Sequence, residues 1–408
     1  MSDTALSPVE ADAFRAKCTA FLDENATGIH LDGAPEERGA ARMRFCKKFQ
    51  SALQDAGLAG ITYPVEYGGQ GLSREHDQIW REEYARYPDM TGELTISHGM
   101  CLPMTSEYGT HEQKAAYLSD IIAARTVWCQ MFSEPGAGSD VASLQTKAER
   151  DGDTWVINGQ KVWTTLAHLS DYGVIVARTN PEVAKHAGIS MFIVPMDTPG
   201  VEIRPIHQID GGQHFNEVFF TDASIPLDNL LGELNNGWNM ATAMLMYERV
   251  AIGTGTTSGI STGRSDQLIE VAQKNGKITH PVIRQNLMRL REMETAASLV
   301  RMRTRAELQA GKTPGPGGSL TKLIATNIGN LYRDLSLEIV GVESMAWDDP
   351  AGATWQRLAL TCLQMGIAGG TNEIQRNIIG DRVLGLPRDI SVDKGIPFKD
   401  LKVGTQSN

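Results

Sequence analysis

The 408-residue chain has few cysteines and none of the spacings that bind zinc. Its five cysteines stand apart without a Cys-x-x-Cys pair, so neither a zinc knuckle nor a disulfide framework is indicated, and buried reduced thiols are expected. The nine histidines include no His-Glu-x-x-His motif and no pair at a convincing ligand spacing. We therefore expect no catalytic metal ion.

Long apolar runs and a surplus of positive charge are also missing. No apolar stretch reaches the roughly 18 residues of a membrane-spanning helix, and the amino terminus lacks the basic and apolar parts of a signal peptide. The formal net charge is −11, from 38 basic and 49 acidic residues, whereas nucleic-acid surfaces need clustered Lys and Arg. These absences predict a cytoplasmic protein with no membrane span and no nucleic-acid partner.

Three kinds of hydrophobic periodicity follow one another along the chain. Up to about residue 125, apolar residues recur three and four positions apart, as in RMRFCKKFQSALQDAGLAGI from Arg42. Between residues 128 and 238 they alternate, as in TWVING and ISMFIVP, and beyond Gly237 the helical spacing returns. The pattern predicts an all-α domain over residues 1–127, a β domain over 128–237 and a second all-α domain over 238–408.

Two segments of the β region carry the strongest functional signal. Residues 130–143 read QMFSEPGAGSDVAS and offer a hydroxyl, an acid and a glycine-relaxed backbone, which suits a site where main-chain N–H groups approach a polar ring or phosphate. Residues 157–165 read INGQKVWTT and place a flat aromatic beside two hydroxyls. Each segment alone is more often a turn or a half-buried strand. Their order and spacing together favour a ligand site.

In this order the two segments resemble the flavin-binding strands of the acyl-CoA dehydrogenase family, whose pattern is Ser/Thr-Glu-Pro-x-x-Gly-Ser-Asp followed by Trp-x-Thr/Ser. The resemblance continues through TYPVEYGGQGLS from Thr62, YGTHEQKAAYL from Tyr108, VFFTDASIPLDNLLG from Val218 and GGTNEIQRNIIGDRVLGLPR from Gly369. It implies an α+β multidomain fold with an N-terminal helical bundle, a middle antiparallel β domain and a C-terminal four-helix bundle. It also implies FAD as the cofactor and an acyl-CoA as the substrate.

Removing hydrogen from the α and β carbons of an acyl thioester needs a base for the α-proton and an acceptor for the β-hydride. Side chains supply only the base, so a flavin takes the hydride at its ring nitrogen N5. The resemblance implies that Trp163 lies against the flavin ring and that the Thr165 hydroxyl lies beside N5. The other flavin contacts it implies in this region come from Gln130, Phe132, Ser133 and Ser139, of which Ser139 reaches either the pyrophosphate or the pantetheine arm of the substrate.

The position of the catalytic glutamate departs from the best-known members of the family, which carry it just before the Gly-Thr of the C-terminal motif. Here that position is Gly369, which cannot take a proton. One branch of the family uses instead a Glu on the first long helix of the C-terminal domain, within a Glu-Arg pair, and this chain reads MLMYERVAIG there. Glu248 is therefore the implied base, after an apolar run that favours its protonation. Arg249 either binds the acyl-CoA or forms a structural salt bridge.

The thioester oxygen accumulates negative charge as the proton leaves, so it needs hydrogen-bond donors. The resemblance gives this role to the backbone N–H of Gly369 and to a ribityl hydroxyl of the flavin. Gly370, Thr371, Asn372 and Glu373 match family residues that touch the substrate and the adenosine half of FAD. Gln130, in place of a common aromatic, and the missing side chain at Gly369 leave room for a branched or bulky acyl group.

A second departure concerns FAD contacts made across subunits. The family's Arg-x-x-Phe-Gly is absent from VAQKNGKITHPVIRQ, where Lys274 or Lys277 offers only a point charge. The family's Gln-x-x-Gly-Gly-x-Gly is altered to EIVGVES, which places Glu338 near the expected phosphate. A homotetramer and a heterotetramer with a related chain that supplies the arginine are both open. The resemblance further implies an electron-transfer flavoprotein as the electron acceptor and a place in fatty acid β-oxidation.

The sequence also allows other interpretations, of which one is disfavoured by its structural context and two involve the same fold. The Gly-x-Ser-x-Gly match at residues 259–263 would make a hydrolase, but that motif joins a strand to a helix and here it continues a helical pattern. A flavin oxidase or monooxygenase on the same fold, and a non-catalytic subunit of a heteromeric dehydrogenase, stay open as alternatives.

Overall fold

The computed structural model describes residues 6–28, 35–253, 265–309, 317–346, 350–388, 390 and 393–402. The chain forms two compact units, Met1–Met244 with Asp393–Asn408, and Leu245–Val392. The first unit holds the N-terminal helices and a β-sheet, and the second is helical. The predicted order of helical, β and helical regions is confirmed, while the boundaries 1–127, 128–237 and 238–408 stay a prediction.

Within the described residues, five α-helices precede the sheet. Two of them begin with a capping box, in which Ser7 with Glu10 and Thr110 with Gln113 satisfy the first backbone N–H groups. The Gln113 side chain also donates to the carbonyls of Asp228 and Leu230, at 2.7 and 3.0 Å. The helices are α1 Pro8–Asn25, α2 Pro35–Asp55, α3 Arg74–Tyr84, α4 Leu102–Tyr108 and α5 His111–Ile122.

In the part of the chain that the structure describes, eight strands form one sheet in the order β6-β7-β3-β2-β4-β5-β8, with β1 beside β4. Most neighbours are antiparallel, as the alternating pattern predicts, but β1 and β2 pair with β4 in parallel. The strands are β1 Trp128–Met131, β2 Lys147–Asp151, β3 Thr154–Thr165, β4 Tyr172–Arg178, β5 Ile189–Pro195, β6 Val201–Pro205, β7 Phe215–Pro226 and β8 Leu230–Leu231.

The core of the first unit lies on the sheet. Strands β4 and β5 read YGVIVAR and ISMFIVP and are buried almost throughout, as expected for strands covered on both faces. A smaller apolar cluster that includes Met43, Cys46 and Leu94 packs with Val127 and Leu166, so the N-terminal helices and the sheet share buried surface.

The second unit is built around α9. Helix α6 begins in the first unit and continues into the second, and the other helices of this unit pack side chains such as Leu287, Leu290, Tyr332 and Leu335 into one core. The Thr326 hydroxyl of α9 donates to the Met365 carbonyl at 3.0 Å, which fixes the turn after α10. The helices are α6 Gly237–Gly253, α7 Ser265–Lys274, α8 Pro281–Gln309, α9 Gly317–Val340, α10 Pro350–Gln364 and α11 Asn372–Ile378.

Candidate active site

A buried ion pair joins the two segments that the sequence singles out. The Lys161 ammonium on β3 lies 2.8 Å from the Glu134 carboxylate and donates to the Phe132 carbonyl at 3.1 Å. Glu134 also accepts from the backbone N–H groups of Gln145 and Thr146, at 2.6 and 2.9 Å. Every oxygen of this carboxylate is therefore used, and the loop after β1 is fixed to β3.

Burial sets the electrostatics of this pair. The Lys161 side chain is fully buried and that of Glu134 is 5% exposed. Burial raises the pKa of Glu134, but the Lys161 charge and the hydrogen bonds more than offset it and leave the pKa below its usual range. Burial lowers the pKa of Lys161. Sequence reasoning noted the acid but missed Lys161, although a lysine inside an apolar strand pattern is a usable signal.

Trp163 lies at a bulge in β3, where the register against β7 shifts between Lys161 and Thr164. Its φ of 61° is in the left-handed region, and its ring is 58% exposed with one edge contact to Phe215 at a centroid distance of 5.9 Å. A bulky residue in this conformation is strained, and such strain clusters at ligand sites. The bulge turns a flat aromatic surface outward.

The other predicted flavin contacts in the sheet differ in burial. Thr165 is half-buried and pairs with Phe215, and the buried Asn216 side chain donates to the Thr164 carbonyl at 2.9 Å. Sequence reasoning missed Asn216. Among the other predicted contacts, Phe132 is buried, Gln130 and Ser133 are half-buried and Ser139 is exposed.

In the helical unit, Glu248 lies half-buried on α6. The apolar run before it is only partly enclosed, since Met244 is buried and Met246 is 39% exposed. Arg249 continues the helix, but its side chain lies outside the described part of the structure. The Gly-x-Ser-x-Gly segment at 259–263 also lies outside it.

The predicted oxyanion position, Gly369, begins a turn whose backbone requires glycine. Gly369 and Gly370 have φ values of 65° and 84°, and the Gln375 side chain donates to both of their carbonyls, at 2.9 and 3.2 Å. A Cβ on Gly370 would lie 2.7 Å from the Gln375 amide nitrogen. Thr371 then caps α11 by accepting from the Ile374 N–H at 3.2 Å. The turn is thus fixed without any side chain from its glycines.

Two charged residues of this unit, Glu373 and Lys322, differ in burial and pairing. Glu373 is exposed and pairs with Arg376 at 3.1 Å. Lys322 on α9 is only 3% exposed, and its ammonium has no hydrogen-bond partner in the described structure. Burial lowers the pKa of Lys322, while the charges of Glu373 and Glu248 raise it less. Sequence reasoning missed Lys322, because a single lysine in a helix is usually exposed.

The segments that depart from the family pattern also meet within this unit. The Lys277 ammonium donates to the Glu338 backbone carbonyl at 2.7 Å, at the end of α9, and Lys274 is exposed. Lys277 is therefore already engaged by its own chain. This arrangement gives no guanidinium fork for a phosphate.

The described residues carry neither a metal-binding cluster nor a membrane-spanning helix. Among the described residues, no group of three His, Cys, Asp or Glu side chains could hold a metal ion. Within the same part of the chain, no helix is long and apolar enough to span a membrane. All five cysteines are free and buried.

Family models match three successive parts of the chain: the acyl-CoA dehydrogenase N-terminal domain at residues 8–125, the middle domain at 129–223 and the C-terminal domain at 235–384. Acyl-CoA dehydrogenase IpdE1 of Mycobacterium tuberculosis is 40% identical over 93% of this chain and 99% of its own length. The human mitochondrial short-chain specific acyl-CoA dehydrogenase is 30% identical over 80% of each chain.

Solved structures agree with these relatives. The ChsE4-ChsE5 complex of Mycobacterium tuberculosis matches with a TM-score of 0.74 and 30% identity, over 95% of this chain and 100% of the matched one. A Tcur3481-Tcur3483 steroid ACAD matches with a TM-score of 0.76 and 27% identity, over 94% and 99%. The three domains follow the family order, and the two protein relatives match most of their length, so the chain belongs to the acyl-CoA dehydrogenase family.

Proposed function

We propose that this acyl-CoA dehydrogenase uses FAD to oxidise an acyl-CoA thioester to its 2-enoyl-CoA, with Glu248 as the base. The observation that carries the proposal is the bulge in β3, which presents the Trp163 ring outward beside Thr165 and is fixed by the Glu134–Lys161 pair. An exposed indole beside a hydroxyl and relaxed loop backbone fits a planar cofactor with a phosphate tail. A bound flavin supplies the acceptor for the hydride.

The chain's own groups would then divide the remaining work. Glu248 takes the α-proton, because Gly369 stands where other members of the family carry their acid. The Gly369 N–H stabilises the thioester oxygen, with Gly370 and Arg249 contacting the substrate. In the sheet, Gln130, Phe132, Ser133, Trp163 and Thr165 bind the flavin ring, Ser139 binds a phosphate or the pantetheine arm, and Thr371 and Glu373 bind the far end of FAD.

The substrate we propose is an acyl-CoA with a bulky or polycyclic acyl group. Gly369 and Gly370 leave no side chain beside the reacting carbons, and the turn that carries them is held by Gln375. One relative of known structure is named a steroid ACAD. A chain that accepts only short, unbranched acyl-CoA substrates would contradict this part of the proposal.

We further propose a heterotetramer with a related chain, although a homotetramer is the alternative. The family's Arg-x-x-Phe-Gly is missing here, Lys277 is engaged by the Glu338 carbonyl, and a relative of known structure is described as a complex of two chains. A cytoplasmic location and an electron-transfer flavoprotein as the acceptor complete the proposal. A non-catalytic role in such a complex is the second candidate, favoured by the same missing arginine.

The experiment that tests the function is an assay of purified protein, alone and after coexpression with a related chain, on a panel of acyl-CoA substrates. An artificial electron acceptor reports turnover, mass spectrometry identifies the 2-enoyl-CoA, and absorbance gives FAD per chain. We expect turnover to be fastest with bulky acyl groups. Full FAD occupancy without a partner would contradict the heterotetramer, and fast reoxidation of the reduced protein by air would indicate an oxidase.

A further inference from the structure

The C-terminal segment, residues 393–400, packs on the connection between β4 and β5 within the first unit. The N–H groups of Phe398 and Lys399 donate to the carbonyls of Val183 and Pro181, at 2.8 and 3.0 Å. Pro397 forms a β-bridge with Ala184, and the Phe398 side chain is buried. The segment is therefore seated by specific backbone contacts.

Arg178, the last residue of β4, connects Phe398 to the Ser139 loop, defined as residues 139–144. Its guanidinium lies over the Phe398 ring, with 3.7 Å from Cζ to the ring centroid. From the same group, one nitrogen donates to the Ala142 carbonyl at 2.6 Å and another to the Lys185 carbonyl at 2.5 Å. Burial lowers the pKa of Arg178 to about 10. The ring of Phe398 thus covers one face of the cation that holds the loop.

Lys185 makes a second connection between the two segments. Its ammonium lies 2.8 Å from the Asp140 carboxylate in the Ser139 loop and 2.6 Å from the Asp393 carboxylate in the C-terminal segment. The side chain is only 12% exposed. Asp140 also accepts from the Ser143 hydroxyl at 2.5 Å, so the bridged carboxylate is part of the loop's own fold.

We propose that the C-terminal segment positions the Ser139 loop for ligand binding, acting through Arg178 and Lys185. A loop of six residues carries Ser139, the residue assigned above to a phosphate or to the pantetheine arm. Two side chains, Arg178 and Lys185, connect this loop to residues about 250 positions later in the sequence. The ligand assigned to the loop rests on the proposed function. The packing of the loop against the C-terminal segment does not depend on that function.

The test compares Phe398→Ala and Asp393→Asn with a matched control, Lys399→Gln. The control removes an ion pair of the same segment, with Glu182, that does not touch the loop. Hydrogen exchange is followed at the amides of Ser143 and Leu144, which donate to the carbonyls of Asp140 and Val141 at 3.0 and 3.1 Å. These two amides report the folded state of the loop directly.

We expect exchange at these amides to rise about 10-fold in Phe398→Ala and about 3-fold in Asp393→Asn, with strands β6 and β7 and the control unchanged. In the assay above, KM for the acyl-CoA rises about 5-fold while kcat stays within twofold. Unchanged exchange at Ser143 and Leu144 in both variants would overturn the proposal. If Phe398→Ala does not fold, Asp393→Asn decides alone. If the protein has no acyl-CoA activity, exchange still decides the positioning role separately from the function.

Discussion

Two buried lysines, one in each compact unit, differ in how their charge is satisfied. Lys161 in the sheet contacts the Glu134 carboxylate and the Phe132 carbonyl. Lys322 in the helical unit is almost as deeply buried, but its ammonium has no hydrogen-bond partner in the described structure. Buried charges are nearly always paired, so an unpaired one requires an explanation.

The difference indicates different roles for the two lysines. In the sheet, the charge pair fixes the loop after β1 to the bulged strand, so it serves the architecture that presents Trp163. In the helical unit, the negative charges of Glu373 and Glu248 favour the charged form of Lys322, but its burial disfavours that form more strongly. Lys322 therefore does not serve the fold as Lys161 does, and its positive charge acts on the carboxylate of the proposed base, Glu248.

The largest effect should follow from removing the base in the helical unit. Glu248→Gln keeps the shape of the side chain but removes proton acceptance, and we expect kcat to fall by about 10²- to 10⁴-fold. Bound flavin should remain, because the sheet contacts are untouched. Steady-state kinetics and flavin absorbance check both points.

The matched control is Glu270→Gln, an exposed residue of α7 in the same unit. It should leave kcat within twofold. Retained turnover in Glu248→Gln would show that another group takes the proton.

The next effect should appear in the sheet, as lost stability. Lys161→Met leaves the Glu134 carboxylate buried without its cation, and we expect unfolding to become easier by about 3–5 kcal/mol. Adding Glu134→Gln should recover part of that loss, since the uncompensated charge is gone. Chemical denaturation followed by circular dichroism measures each free energy of unfolding.

Lys147→Met is the control for this prediction, because Lys147 is 51% exposed in its pair with Glu149 on the same sheet. A change within about 0.5 kcal/mol is expected there. An equally small loss in Lys161→Met would mean that the buried pair does not hold the sheet segments together.

More of the candidate site residues in the sheet than in the helical unit could be predicted from the sequence. Alternation places the strands, and SEPGAGSD and Trp163 point to a ligand. The bulge and the left-handed φ of Trp163 could not be predicted, because they depend on the register between β3 and β7. The Lys161 contact depends on the fold of a loop 27 residues earlier.

The helical part could be predicted only through the family resemblance. Helical periodicity is the same for an exposed and a buried lysine, so nothing in KLIATNIG marks Lys322.

In the first unit, the contacts of Arg178 and Lys185 with the C-terminal segment join residues more than 200 positions apart, and no local sequence pattern predicts contacts over such a separation. The spacing of apolar residues predicts whether a segment is a helix or a strand, but it does not predict which helices, strands and loops contact one another in the fold.

The smallest effect on stability, and the sharpest contrast with Lys161, should come from Lys322→Met. Burial lowers the pKa of Lys322, so folding disfavours the charged form of its ammonium, and replacing it should leave stability unchanged or raise it by about 1 kcal/mol. Without that cation, the ionised carboxylate of Glu248 is less favoured, so the acid side of the pH profile of kcat/KM should move to higher pH.

Two control variants separate charge from packing. Lys322→Arg keeps the charge and should keep the original pH profile, and exposed Lys274→Met should change neither stability nor the pH profile. A loss of more than about 2 kcal/mol with an unchanged pH profile would give Lys322 the same structural role as Lys161, and the contrast between the two units would fail.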